Sequence, residues 1–182
     1  MSGPTQVTIY TDGAAGPTNT GPAGYGVVLE CNGRRKELSG GYRVSTNNRM
    51  ELMAAIVGLE MLKGPCEVTI YSDSTYVVNA VERGWFANWR DSGWAGDPGR
   101  LNMDLWQQFR TVYSKRDVTM LWVPAHTGNV ENERCDRLAK WTARRRHRPV
   151  DEGYAATQKK PDDDLPVVVR LRPDAQSAEP WG

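Results

Sequence analysis

Apolar and polar positions alternate with period two over residues 6–11, where Val7 and Ile9 oppose Thr8 and Tyr10; this predicts a strand reaching Asp12. Residues 13–24 are rich in Gly, Pro, Thr and Asn and read as a loop. Two further strands are predicted over 25–31 and 36–44, joined at Asn32-Gly33, a pair that tolerates the positive φ of a two-residue hairpin turn. The period then changes. Met50, Met53, Ala54, Val57 and Met61 recur at helical spacing over 46–63, and Gly64-Pro65 ends the run. A strand over 66–72 ends before Asp73, and a short helix follows over 75–82. Residues 102–115 form a helix with Leu105, Phe109 and Val112 inward, and 117–123 a fifth strand. The last amphipathic helix covers 130–146, with Cys135, Leu138, Ala139 and Thr142 inward. This order predicts an α/β protein: a five-stranded mixed sheet, three strands antiparallel and the rest parallel, flanked by helices. From residue 155 the periodicity fails, and 155–182 reads as a disordered tail with a candidate strand or docking segment at 167–171.

At 182 residues the chain suits one domain, residues 1–154, with enough length for a sizeable core. No apolar run approaches the roughly 20 residues of a membrane span, and the first seven residues lack a signal-peptide pattern. Cys31, Cys66 and Cys135 are single and far apart, which argues against disulfides and zinc and suits a reducing cytoplasm. The net charge of +1 conceals three regions. Residues 1–142 balance 15 basic against 15 acidic groups, 143–148 carry four arginines, and 149–182 hold four basic against seven acidic groups. The arginine run reads first as a solvated helix end and second as a nucleic-acid contact. The acidic stretch 162–164 can fold back on it or meet an unknown partner.

Chemistry concentrates in the carboxylates. Asp12 and Asp73 stand at strand ends, Glu51 one turn into a helix and Asp136 in the last helix. Neighbouring strand-end carboxylates repel unless cations intervene, and hard oxygen ligands suit Mg²⁺ or Mn²⁺. The bland reading of each one alone is a cap or a solvated strand end. Together, however, Tyr10-Thr11-Asp12-Gly13-Ala14, Thr46-Asn47-Asn48-Arg49-Met50-Glu51-Leu52, Tyr71-Ser72-Asp73-Ser74 and Glu131-Asn132-Glu133-Arg134-Cys135-Asp136 form an ordered set. With these motifs and the Trp-rich segment after Arg83, residues 5–154 closely resemble bacterial type 1 ribonuclease H.

The resemblance implies a ribonuclease H-like fold, order βββαβαβα with an extra helical protrusion. It also implies a monomeric two-metal endonuclease that cuts the RNA strand of an RNA–DNA hybrid, leaving 5′-phosphate and 3′-hydroxyl ends. Asp12, Glu51, Asp73 and Asp136 match the metal ligands, for two Mg²⁺ about 3.5–4 Å apart, with Mn²⁺ able to substitute. His126 matches a histidine that assists proton transfer or product release. Pro124-Ala125 precedes it where relatives often have a glycine, which bears on loop mobility. Asn47 and Asn48 match asparagines that read 2′-hydroxyls across the minor groove; helix capping is their alternative, which Thr46 could fill instead. Thr46 and Asn19 are weaker candidates for phosphate contact. Trp85 matches a tryptophan near the DNA sugar, although Trp85, Phe86, Trp89 and Trp94 could equally be a local aromatic core. The following segment, 90–100, has only two arginines and two aspartates, so weak hybrid grip is expected there. Thr75 stands where relatives often carry glutamine.

Two other readings compete: a catalytically inactive hybrid-binding module, and a DNA strand-transfer or junction-cleaving relative on the same fold. The complete carboxylate set opposes the first; Asn47-Asn48 opposes the second.

Overall fold

The computed structural model describes residues 4–93 and 101–158. Its strands are β1 (Thr5–Ala14), β2 (Thr20–Cys31), β3 (Arg34–Thr46), β4 (Cys66–Ser72) and β5 (Asp117–Trp122). Its helices are α1 (Asn47–Glu60), α2 (Thr75–Glu82), α3 (Trp85–Asp91), α4 (Met103–Tyr113), α5 (Val130–Ala143) and α6 (Glu152–Gln158). The strands form one sheet in the order β3-β2-β1-β4-β5. β1 pairs antiparallel with β2, and β2 with β3, while β4 runs parallel to both β1 and β5. The mixed five-stranded sheet read from the hydrophobic pattern is therefore present.

Asn32 and Gly33 take φ of 49° and 73°, the paired positive values of a hairpin turn whose twist matches its strands. The expected loop over 13–24 is a correction: β1 continues to Ala14 and β2 begins at Thr20, leaving five residues between them. Glycine misled there because it works as a spacer. A Cβ on Gly24 would stand 2.3 Å from the Ala139 carbonyl oxygen, and one on Gly26 2.2 Å from that of Cys135. Bare backbone is what lets α5 lie directly on β2. Pro22 fits within an inner strand because the β2–β3 register shifts between Gly21 and Ala23.

On the opposite face, α1 covers Ile9 and Val27 of the sheet, and α4 covers α1. The helix is consequently buried on nearly every side. Its inward set is Met50, Leu52, Ala54, Ala55, Ile56 and Leu59, whereas Met53, Val57 and Met61 are only partly buried. A one-sided stripe is the wrong template for a helix sandwiched between two layers. Phe86 and Trp89 of α3 meet Trp106 of α4, with ring centroids 5.8 and 5.4 Å apart, so the aromatic-core reading holds for these two. Trp94 and most of the diluted basic segment lie outside the described residues, as do 159–182. Helix α6 extends to Gln158, so a boundary at 154 would fall inside a helix.

The end of the described chain is tied down by a buried ion network. Arg49, 2% exposed, donates through Nε and Nη2 to Asp151 (2.8 and 2.9 Å) and through Nη1 and Nη2 to Asp104 (2.9 and 2.6 Å). Ser45 Oγ donates to the same Asp151 at 2.6 Å, and the Tyr154 N–H does so at 3.0 Å. Two forked pairs on one guanidinium lock α1, α4 and α6 together.

Candidate active site

The site forms where β1 and β4 run side by side and α1 begins. The register sets Thr11 beside Ser72, so Asp12 and Asp73 follow on adjacent parallel strands. Gly13 lets α1 approach: a Cβ there would lie 2.3 Å from the Glu51 backbone nitrogen. Neither helix start uses the carboxylates as caps. Thr46 accepts from the Arg49 N–H at 3.3 Å, and Ser74 accepts from the Val77 N–H at 3.4 Å. The capping alternative thus fails for Asp73 and for the Asn47-Asn48 pair, while Thr46 takes that role.

Asp12, Glu51 and Asp73 each place a ligand atom within 4.8 Å of the others. Asp12 and Glu51 are buried. Burial, then the charges of Asp73 and Asp136, push Asp12 up to about 8, with the Gly13 N–H working in the opposite direction. Burial and the charges of Asp12 and Asp73 likewise raise Glu51 well above the carboxylate range. Glu51 Oε2 is buried with no hydrogen-bond partner, whereas Oε1 accepts from Asn47 Nδ2 at 3.5 Å. An unpartnered buried carboxylate oxygen beside two further carboxylates is the donor set of a hard divalent cation. The residues therefore fit Mg²⁺ or Mn²⁺.

Asp136 lines the same cleft, of about 450 Å³, and its carboxylate meets Lys140 at 2.8 Å one helical turn on. His126 stands at the rim, exposed, in the left-handed region with φ 55°. Its loop is braced where Thr127 Oγ1 donates to the Pro124 carbonyl (2.9 Å) and the Gly128 N–H to Glu133 Oε1 (3.2 Å). Positive φ in this loop falls on His126 itself and on Gly128.

Asn47 and Asn48 line the carboxylate cleft and an adjoining one of about 430 Å³, which also holds Asn19, Thr46 and, from α6, Tyr154. Asn48 is exposed, but Asn47 is partly committed: its Oδ1 accepts the Ala15 N–H at 3.2 Å while its amide faces Glu51. Trp85 is 44% exposed, with the Arg83 guanidinium 5.8 Å from its ring, apart from the carboxylate cleft.

Two participants escaped the sequence reading. Asn132 Nδ2 donates to Asp73 Oδ2 at 3.2 Å across 59 residues, and Lys140 holds Asp136. The four-residue spacing of Asp136 and Lys140 was the available signal for the second. Nothing local marks the first.

Residues 4–144 match the family model described as RNase H. The chain belongs to the ribonuclease H family. Among curated relatives it is 54% identical to the "Ribonuclease H" of Syntrophus aciditrophicus, covering 82% of this chain and 87% of that protein. It is 49% identical to the "Ribonuclease HI" of Synechocystis sp., covering 84% of this chain and 97% of that protein. Among solved structures, that of LC9-RNase H1, described as a type 1 RNase H with the type 2 active-site motif, aligns with TM-score 0.70. That match has 27% identity and covers 79% of this chain and 74% of the other. The family and fold that the motifs implied are thus established, and the chain is a ribonuclease H by descent.

Proposed function

We propose that this enzyme hydrolyses the RNA strand of RNA–DNA hybrids endonucleolytically, leaving 5′-phosphate and 3′-hydroxyl ends. The observation that carries the reading is the Asp12–Glu51–Asp73 cluster, with Asp12 and Glu51 buried and Glu51 Oε2 unpartnered, at a cleft rimmed by Asp136 and His126. Asp12, Glu51, Asp73 and Asp136 would hold two Mg²⁺, or Mn²⁺ in their place. Bound there, the cations supply Lewis-acid polarisation of the phosphate and a more acidic water.

The chain's own groups do the rest. Asn132 fixes the Asp73 carboxylate, and Asn47 orients Glu51. Lys140 releases Asp136 toward the cleft and can then meet a substrate phosphate. His126, exposed at the rim, moves a proton to or from the reacting oxygens. Asn48 offers an amide donor and acceptor to 2′-hydroxyls, which distinguish RNA from DNA. Asn19 and Thr46 contact backbone phosphates, and Trp85 packs on a DNA sugar.

The enzyme works as a monomer, as the family resemblance implies. Separated free cysteines suit the cytoplasm. No helix among the described residues is long and apolar enough to cross a membrane. Catalysis belongs to the unit through α6, and the acidic stretch 162–164 offers its charge to an unknown partner. The test is divalent-dependent cleavage of a hybrid, duplex DNA and duplex RNA side by side. Cutting of the hybrid's RNA strand alone is expected. Cutting of DNA, or of nothing, overturns the proposal.

A further inference from the structure

Beyond Asp136, α5 and the turn after it carry Arg137, Lys140, Arg144, Arg145, Arg146 and Arg148 with no acidic residue among 137–148. One of these cations is structural. Arg148 Nη1 donates to the carbonyls of Ala143 and Arg145, closing the end of the helix. Arg137, Lys140, Arg144 and Arg145 are exposed. Among them stands Trp141, 55% exposed, with the Arg145 guanidinium 4.7 Å from its ring centroid. An exposed indole at the centre of a cationic strip offers a face on which a base can stack.

Position on the helix ties that face to the cleft. Asp136, Lys140 and Arg144 follow at four-residue spacing, so the strip runs out of the metal cleft without a break. The partner that emerges from that cleft, under the hybrid-cleaving reading on which this inference rests, is the RNA strand being cut. Paired bases are stacked on one another and offer no face to an indole. Unpaired bases do, and an aromatic platform ringed by cations is the usual grip on a single strand. We propose that Trp141, Arg144 and Arg145 form a binding surface for unpaired RNA continuing from the hybrid beyond the cleft. The enzyme would then favour hybrids that carry a single-stranded RNA extension over blunt ones.

The test is steady-state cleavage by the full chain of four substrates, compared with one another at each of several salt concentrations. These are a blunt hybrid, the same hybrid with about ten unpaired RNA nucleotides at its 5′ or its 3′ end, and one with a DNA extension instead. A KM lower by roughly fivefold or more is expected on at least one RNA-extended substrate, with kcat unchanged, the worth of about one stacked base. Trp141→Ala should erase most of that advantage and Trp141→Phe should keep it. Replacing Arg144 and Arg145 by Gln should flatten its salt dependence. All variants should cut the blunt hybrid as the parent does, since these side chains are exposed. Equal KM on blunt and RNA-extended hybrids overturns the inference, as does an advantage that survives Trp141→Ala. An advantage for the DNA extension alone overturns it too, and so does an equal KM rise on every substrate, which would assign the strip to the duplex. The blunt substrate keeps the two readings apart: failure to cut it counts against hybrid hydrolysis itself, not against the strip.

Discussion

Replacing Asp12 by asparagine should destroy cleavage and yet make the metal-free protein more stable. In the unfolded chain Asp12 has the ordinary carboxylate value of 3.8; in the fold, burial and then Asp73 and Asp136 push it up to about 8. A carboxyl with a raised folded value contributes its full share to stability below the unfolded value. That share is lost as pH rises through the window from about 4 to about 8. At pH 7 roughly 3 units of that window have been crossed, which at 1.36 kcal/mol per unit is a cost of about 4 kcal/mol. Water entry and small side-chain shifts in the emptied site reduce this, so about 2–4 kcal/mol of stabilisation is expected for the asparagine variant at pH 7. Asparagine preserves the shape and cannot ionise, so above about pH 8 it also spares Glu51 the repulsion of a charged Asp12. Urea unfolding of both proteins in chelator, at pH 4.5 and at pH 7, gives the measurement. The variant should lead clearly at pH 7, the lead should shrink toward pH 4.5, and added Mg²⁺ should narrow it at pH 7 by stabilising the parent. A variant no more stable than the parent at pH 7 without metal, or a lead independent of pH, would refute the electrostatic account.

Other outcomes follow from single contacts. Asp151→Asn should cost about 2–4 kcal/mol by leaving the Arg49 guanidinium under-paired, measured by chemical denaturation. Its effect should fade at low pH, because Asp151 has a lowered value and its contribution is present above the carboxylate range and lost on acidification. Gly26→Ala would set a methyl 2.2 Å from the Cys135 carbonyl oxygen, lift α5 and carry Asp136 out of place. A loss of about 2 kcal/mol or more, with cleavage falling alongside, is expected in paired melting and activity measurements. Asn132→Ala should lower kcat by about 10–100-fold while the far-ultraviolet circular dichroism stays unchanged, since its amide orients a ligand carboxylate. Asn48→Ala should raise KM for hybrid with kcat largely retained, a split that a collapsed fold would not produce.

The local pattern carried much of this protein. Alternation marked the strands, Asn32-Gly33 marked its hairpin, and Glu51, Asp73 and Asp136 fell at the helix turns and strand end where they are found, whereas Asp12 lies two residues inside the end of β1. These features are legible because they depend on neighbours a few residues away. The misreadings share the opposite cause. Gly24 and Gly26 look like loop residues until α5, more than a hundred residues later, is seen lying on them. The α1 stripe looks one-sided until α4 covers its outer face. Arg49 reads as part of a motif, but its partners Asp104 and Asp151 lie 55 and 102 residues along the chain. The active site divides in the same way. Which acids meet at one cleft was legible from the order of the motifs. That Asn132 holds Asp73, that Lys140 restrains Asp136 and that Glu51 Oε2 stays unpartnered depends on which distant segments pack against one another. Such packing is set by shape and burial across the whole core, and no window of neighbouring residues encodes it.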